Sequence, residues 1–300
     1  MKISILHTKN CVQSAKKLLI ILIERNVKSV GKVNNKLVDI CVNLTDEVFL
    51  GKEEKIVSEA SKNNVLKMVL VGNDLESSKK VINLAKQFNF IATAGYHPHN
   101  AKEWNSDSYN QLLSLLKKDV TKAVGECGLD FNRNFSTPEE QHSVFLDHIA
   151  LAKETNLPLF VHERDAFHQM HNILKNNIRD CKNIIVHCFT GTKNALIDYL
   201  DLGVSIGLTG WICDDRRGKH LRDFIDIIPD DKLFIETDSP YLSPYISSKK
   251  FEVTSAMKHL NKPEYLVEVA KDVAKYRNQS YDYICEITYQ NYLNFFGIKE

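Results

Sequence analysis

The chain has 300 residues, 43% hydrophobic and 26% charged, with 12 Gly, 7 Pro and a formal net charge of +1, a balance that fits a globular chain with one sizeable core. No apolar run approaches the roughly 20 residues of a membrane span, the nearest being LLIILI at 18–23. Seven cysteines without a CxxC pair point to reduced thiols in a cytosol-like compartment, away from a disulfide framework or a cysteine-built metal site.

Charge is unevenly spread along the chain. Residues 1–36 carry eight Lys or Arg against the single acid Glu24, a net +7, which leaves −6 for residues 37–300. The body therefore has no overall basic character, and any contact with a polyanion must be local. The leading stretch, partly amphipathic around SAKKLLIILIERNVKSV, reads as a basic extension. It fits an appended surface helix or an organelle-targeting segment, and the helix is preferred, with the protein expected in the cytoplasm.

From residue 37 a rhythm of short β-branched runs and longer helical stretches sets in. The strand candidates are LVDICVN (37–43), KMVLVG (67–72), FIATAG (90–95), KAVGE (122–126), LPLFVH (157–162), NIIVHC (183–188), GVSIGL (203–208) and KLFIETD (232–238). Between them, TPEEQHSVFLDHIALAKETN (137–156) and TKNALIDYLDL (192–202) show apolar residues at three- and four-residue spacing. Thr137 is placed as an N-cap, Pro138 at the first helical position and Glu140 as the third member of a capping box. Eight apolar strands alternating with helices predict an α/β fold, a (β/α)8 TIM barrel over 37–300, with an open doubly wound sheet as the alternative.

Polar residues sit where the strands end. Asn43, Glu126, His162, His187 and Asp238 each close an otherwise apolar run, and in a barrel those ends converge on the active-site face. Glu126, His162, His187 and Asp238 form a ligand set for a divalent cation, with Zn²⁺, Mn²⁺ or Mg²⁺ as candidates. Such a cation offsets the cost of burying two carboxylates, acidifies a water and neutralises charge on a phosphoryl or carbonyl oxygen. Hydrolysis is the expected reaction class.

In GYHPHN (95–100), His97 and His99 follow the third strand and could bind a metal or an anionic oxygen. Arg133, Arg164, Arg216 and Arg217 lie in loops on the same inferred face, where guanidinium groups suit phosphate. Phe131 and Trp211 could stack on a base there. No GxSxG, GxxxxGK[ST] or GxGxxG motif competes. Cys127 and Cys188 neighbour proposed ligands, but strand alternation turns both away into packed surroundings.

Taken in order, VDICVNLTDEVF, TAGYHPHNAKEW, VGECGLDFNRNFSTPEEQ, LFVHERDAF, VHCFTGTK, IGLTGWICDDRRG and LFIETDSPYL closely resemble the TatD family of metal-dependent deoxyribonucleases, over about residues 37–298. The resemblance implies a TIM-barrel metallohydrolase that cleaves phosphodiesters of single-stranded DNA, or RNA, from the 3′ end, in DNA repair or degradation. It implies Mg²⁺ as the usual metal, held by Glu126, His162 and His187. Asp238 becomes a ligand that also orients or deprotonates the attacking water, and His97 a contact to the scissile phosphate. A monomer without membrane attachment is expected.

One departure stands out. Many relatives carry an HxH pair on the first strand, where this chain reads Asp39-Ile40-Cys41-Val42-Asn43, the pattern of the TatD-proper branch. Asp39 and Asn43 remain as weak ligands or as supports of the ligands, and loss of two imidazoles shifts the balance toward oxygen-coordinated Mg²⁺. The alternatives are a barrel hydrolase of an ester or amide such as an aminoacyl-tRNA, since fold does not fix substrate, and a non-catalytic nucleic-acid-binding barrel.

Overall fold

A computed structural model describes residues 35–244 and 260–299. The basic extension expected over residues 1–36 lies, except for Asn35 and Lys36, outside the described residues. Among the described residues no helix is long and apolar enough to cross a membrane.

Eight parallel strands follow one another in unbroken order: β1 Leu37–Val42, β2 Val65–Leu70, β3 Ile91–Ala94, β4 Thr121–Asp130, β5 Leu159–Arg164, β6 Ile184–Val186, β7 Ser205–Leu208 and β8 Leu233–Ile235. The ring closes past the end of β8. There Val42 bridges Ser239, Asp238 N donates to Cys41 O at 3.0 Å, and Asn43 N donates to Ser239 O at 2.9 Å. This closure makes the sheet a TIM barrel and sets aside the open sheet.

The connecting helices are α1 Glu53–Lys62, α2 Leu75–Phe88, α3 Ser108–Leu116, α4 Pro138–Thr155, α5 Phe167–Asn177 and α6 Lys193–Asp201, with α7 Leu266–Tyr276 and α8 Tyr281–Phe296 after β8. Helix α4 starts as its sequence predicts, with Thr137 and Glu140 in a reciprocal capping box and Pro138 in the first turn. Between β7 and β8 the chain makes short 3-10 turns, among them Gly210–Cys213 and Lys219–Asp223. Tyr292, Phe295 and Phe296 of α8 pack with Val38, Ile40, Val69, Ile91, Phe160, Ile185 and Phe234 of the strands. Asn291 Nδ2 donates to Leu233 O and Asn183 Nδ2 to Phe295 O, so α8 covers the end of the barrel where strands begin. The opposite end is left for chemistry.

Strand β4 departs from its expected span. It continues four residues past Glu126 to Asp130, so Glu126 lies within the strand. Gly125 and Gly128 make this possible. Their φ values are +145° and +133°, and a Cβ there would lie 2.3 Å from Phe160 O and 2.1 Å from His162 O. Only glycine allows β4 to press this closely on β5.

Candidate active site

At the carboxyl end of the barrel one carboxylate oxygen gathers three imidazoles. Glu126 Oε1 lies 2.7 Å from His187 Nε2, 3.0 Å from His162 Nδ1 and 3.4 Å from His97 Nε2. Burial opposes a charged Glu126, but His187, His97 and His162 hold its carboxyl well below the usual range. Burial equally opposes charged imidazoles. The Glu126 and Glu236 carboxylates nevertheless hold His187 well above its ordinary value, and hydrogen bonds to Asp130 and Glu126 raise His162.

His97 behaves differently: burial pushes it down to about 3, so its ring is neutral. Its Nδ1 accepts from His99 N at 3.1 Å, which leaves the proton on Nε2, facing Glu126 and His162. That tautomer makes His97 a donor toward an anionic oxygen. To bind a metal through Nε2, the same ring would have to give up this proton.

A second group adjoins the first. Cys41, His187 and Glu236 present donor atoms within 4.8 Å of one another. Glu236 accepts from Cys188 N through Oε1 and is fully buried. Asp238, in a left-handed conformation at φ 55°, accepts from Cys41 Sγ at 3.4 Å and from Asn43 Nδ2 at 3.1 Å through Oδ1. Burial pushes its carboxyl up to about 7; His187 counters this, while the Glu126 and Glu236 charges reinforce it. Asn43 Oδ1 in turn accepts from Asn73 Nδ2 at 2.8 Å. Asp39 spends both oxygens on Thr237, taking its N–H at 2.9 Å and its hydroxyl, and burial pushes it up to about 8. Asp39 therefore fixes the backbone beside Asp238 and faces no ligand position.

Sequence reasoning passed over Asp130, Glu236 and His148. Asp130 ends β4, and its Oδ2 lies 2.8 Å from His99 Nε2 and 3.5 Å from His162 Nε2. Its Oδ1 takes the N–H groups of Asn132 and Arg133, both at 2.9 Å. Burial opposes the charge, but these hydrogen bonds hold Asp130 well below the usual carboxylate range. The two-residue period Glu126, Gly128, Asp130 was the available signal. His148, in the middle of α4, accepts from Tyr96 N at 2.9 Å and supports the residue before His97.

The rim residues divide. Arg133 is exposed, and among the described residues its guanidinium has no partner. Arg164 lies 5.8 Å and Arg217 4.6 Å from the Trp211 ring centre. Trp211 is partly buried against the core, so its ring is already in contact with two guanidinium groups. Arg216 and Arg217 both bind Asp214, at 2.9 and 2.8 Å. Phe131, expected as a stacking surface, packs against the core, whereas Phe135, four residues on, is 56% exposed. Cys127 is buried with its Sγ near Phe160 O, as strand alternation requires. Cys188 breaks that alternation: it follows β6 at φ 48° and lies near the Asp238 and Glu236 charges. Burial and those charges raise its thiol well above the ordinary value, so it is no thiolate nucleophile.

A divalent cation fits this donor set. Glu236 Oε2 is buried without a hydrogen-bond partner among the described residues, a costly condition that a ligand would relieve. Glu126, His162 and His187, with Glu236 and Asp238 beside them, offer the imidazole and carboxylate atoms that such ions prefer.

Comparison with known proteins agrees with this geometry. Residues 38–297 match the family model described as TatD related DNase. The chain is 39% identical over 262 residues to a protein of Erwinia amylovora named "3′-5′ ssDNA/RNA exonuclease TatD", covering 87% of this chain and 99% of that one. A Pantoea ananatis protein of the same name is 38% identical over the same shares. Among solved structures, a TatD homologue from Escherichia coli superposes with a TM-score of 0.79 at 26% identity, covering 89% of this chain and all of that one. An organophosphorus hydrolase from Deinococcus radiodurans, 12% identical with a TM-score of 0.59 over 87% of this chain and 92% of its own, shares the fold alone. With the family's model matched from the first strand to the last helix, the chain belongs to the TatD related DNase family.

Proposed function

We propose that this protein is a metal-dependent exonuclease that hydrolyses phosphodiester bonds of single-stranded DNA or RNA from the 3′ end. The observation that carries the reading is Glu126 Oε1 within 3.4 Å of three imidazoles, beside the orphaned buried Oε2 of Glu236 at the open end of the barrel. The printed names of the relatives supply the substrate class.

Glu126, His162 and His187 would hold the cation, with Asp238 beside them. A divalent metal held there acidifies water and neutralises phosphoryl charge. Asp238, whose carboxyl burial raises above its ordinary value without a metal, is placed to take the proton of the attacking water. The neutral His97 offers a hydrogen bond from its Nε2–H to a non-bridging phosphoryl oxygen, keeping the proton, and its fixed orientation means that no reorganisation is needed at the moment of reaction. Arg133 and Arg164 track the strand, with Trp211 and Arg216 further along the rim. Attack at phosphorus breaks the P–O3′ bond, releasing a 5′-nucleotide and a strand with a new 3′-hydroxyl.

Mg²⁺ is the cofactor proposed, on the strength of the carboxylate oxygens and the phosphate itself. Mn²⁺ and Zn²⁺ would gain more from the imidazoles, so activity should be compared across the three ions. We take the monomer as the acting unit. We place it in the cytoplasm, in keeping with free thiols at all six described cysteines.

The test is a 5′-labelled oligonucleotide incubated with Mg²⁺. Wild type should give a ladder shortening from the 3′ end, abolished by chelation and by Glu126→Ala. Equal degradation by wild type and Glu126→Ala, or an intact oligonucleotide with wild type, overturns the reading.

A further inference from the structure

Phe135 stands out on a rim whose other apolar side chains, among the described residues, are mostly packed. It lies in the loop between β4 and α4 and is 56% exposed. Scattered exposed apolar side chains are ordinary, but this one is mounted on the catalytic cluster. Ring centres step from His162 to His97 at 4.5 Å, from His97 to His99 at 4.2 Å and from His99 to Phe135 at 4.8 Å. The last contact is edge-on at 80°, the arrangement in which one ring braces another.

The mounting is rigid at each joint. Asp130, 2% exposed, fixes His99 through Nε2 at 2.8 Å. Asp130 is itself held by Gln141, whose Oε1 accepts from Asp130 N at 2.8 Å and whose Nε2 donates to Asp130 O at 3.1 Å. Ser136, adjacent to Phe135, donates to His99 O at 3.0 Å and accepts from Lys102 N at 3.0 Å. The loops carrying Phe135 and His99 are thus stitched together, and Arg133 stands two residues away. An exposed apolar ring, braced by His99, one ring from His97 and two positions along the chain from an arginine, matches what an unpaired nucleobase requires. Tyr241, another exposed aromatic near the mouth among the described residues, has its hydroxyl committed to Asp46 at 2.7 Å.

We propose that Phe135, braced by His99, is the stacking platform for a nucleobase flanking the scissile phosphate, with Asp130 as the positioning residue that sets it. The proposal rests on the nuclease reading above and deepens it. It assigns part of the substrate affinity to a base of any identity, since every base has a π-face.

The experiment compares two oligonucleotides, one with all its bases and one whose two 3′-terminal nucleotides are abasic. On the base-bearing strand Phe135→Ala should raise KM by roughly tenfold, the scale of one base–aromatic stack, and Phe135→Trp should restore it. On the abasic strand wild type and Phe135→Ala should converge. Asp130→Asn should raise KM on the base-bearing strand more than on the abasic one, whatever it does to kcat, a dependence that mere loosening of the fold would not create. An unchanged KM in Phe135→Ala, or an equal rise on both strands, overturns the proposal. If wild type cleaves neither strand, the nuclease reading fails. The platform is then judged by quenching of a 3′-terminal 2-aminopurine in chelator: quenching lost in Phe135→Ala supports it, and equal signals in the two proteins overturn it.

Discussion

His148 offers a quantitative test of how the site is held in place. It is fully buried in α4, with Nε2 accepting from Tyr96 N at 2.9 Å and Nδ1 2.7 Å from Val144 O. The Tyr96 bond requires the neutral ring, because a protonated Nε2 has nothing to offer the Tyr96 N–H, whereas Nδ1–H can donate to Val144 O in either state. Burial accordingly pushes His148 from 6.5 down to about 4, although the Val144 bond works the other way. The unfolded chain therefore binds the proton more readily than the folded one. The stabilising contribution is complete above pH 6.5 and is lost as pH falls toward 4. Between pH 7.5 and 4.5, those two values give a loss of roughly 2 to 3 kcal/mol from this residue alone.

The perturbation is His148→Gln, whose amide can donate to Val144 O and accept from Tyr96 N without titrating. The assay is urea denaturation of both proteins at the two pH values. His97, which burial also pushes down, is present in both proteins, so its contribution cancels. Wild type is expected to lose roughly 2 to 3 kcal/mol more than the variant on acidification. Equal losses would refute the assignment of a neutral, pH-sensitive brace under Tyr96.

Gly128→Ala puts a Cβ 2.1 Å from His162 O at φ +133°, so β4 must move off β5. It should cost about 3 kcal/mol or more, a fall in Tm of roughly 10 °C by differential scanning fluorimetry. Metal affinity should rise with pH through and above 6.5, because His162 and His187 are held above that value and must release protons to bind. Isothermal titration in two buffers of different ionisation enthalpy counts those protons, and a pH-independent affinity would contradict it. Arg216 is already paired with Asp214 at 2.9 Å, so Arg216→Ala should change KM for single-stranded DNA less than threefold. Arg133→Ala, by contrast, should lower the slope of log affinity against log salt by about 0.7. Equal effects of the two would show that pairing with Asp214 does not matter.

Much of the barrel was legible because parallel strands buried on both faces must be apolar throughout, and runs such as LPLFVH and NIIVHC stand out against helical neighbours. Each of the eight windows overlaps its strand, and α4 begins at its predicted cap. Less legible was where a strand stops. Reading β4 as ending at Glu126 hid Asp130, because two glycines with positive φ carry the ladder onward through a register shift against β5. The same habit fixed on Asp238 and passed over Glu236, two residues earlier and fully buried. Strand alternation failed for Cys188, since its left-handed φ of 48° lies outside the strand where that rule holds. Phe131 and Phe135 cannot be told apart by residue type; only packing separates the partly buried Phe131 from the exposed Phe135.

The first strand shows how the chain manages without the histidine pair found in many relatives. Cys41 and Asn43 both donate to Asp238 Oδ1, and Asp39 ties down Thr237 beside it. A neutral thiol and an amide hold the carboxylate by hydrogen bonds at positions where imidazoles would offer nitrogen lone pairs. Under the proposed reading, Asp238 is thereby directed to the water more than to a shared metal, and its carboxyl, raised by burial above its ordinary value without a metal, suits a proton acceptor. The remaining attraction for a cation is concentrated on Glu126, the one carboxylate in contact with all three imidazoles. Restoring donors on the first strand with Cys41→His and Asn43→His should therefore increase the number of ions bound, and it should do so while removing both hydrogen bonds that now orient Asp238. Gain of metal with loss of turnover would be the signature of a site in which the first strand serves the base and Glu126 serves the ion.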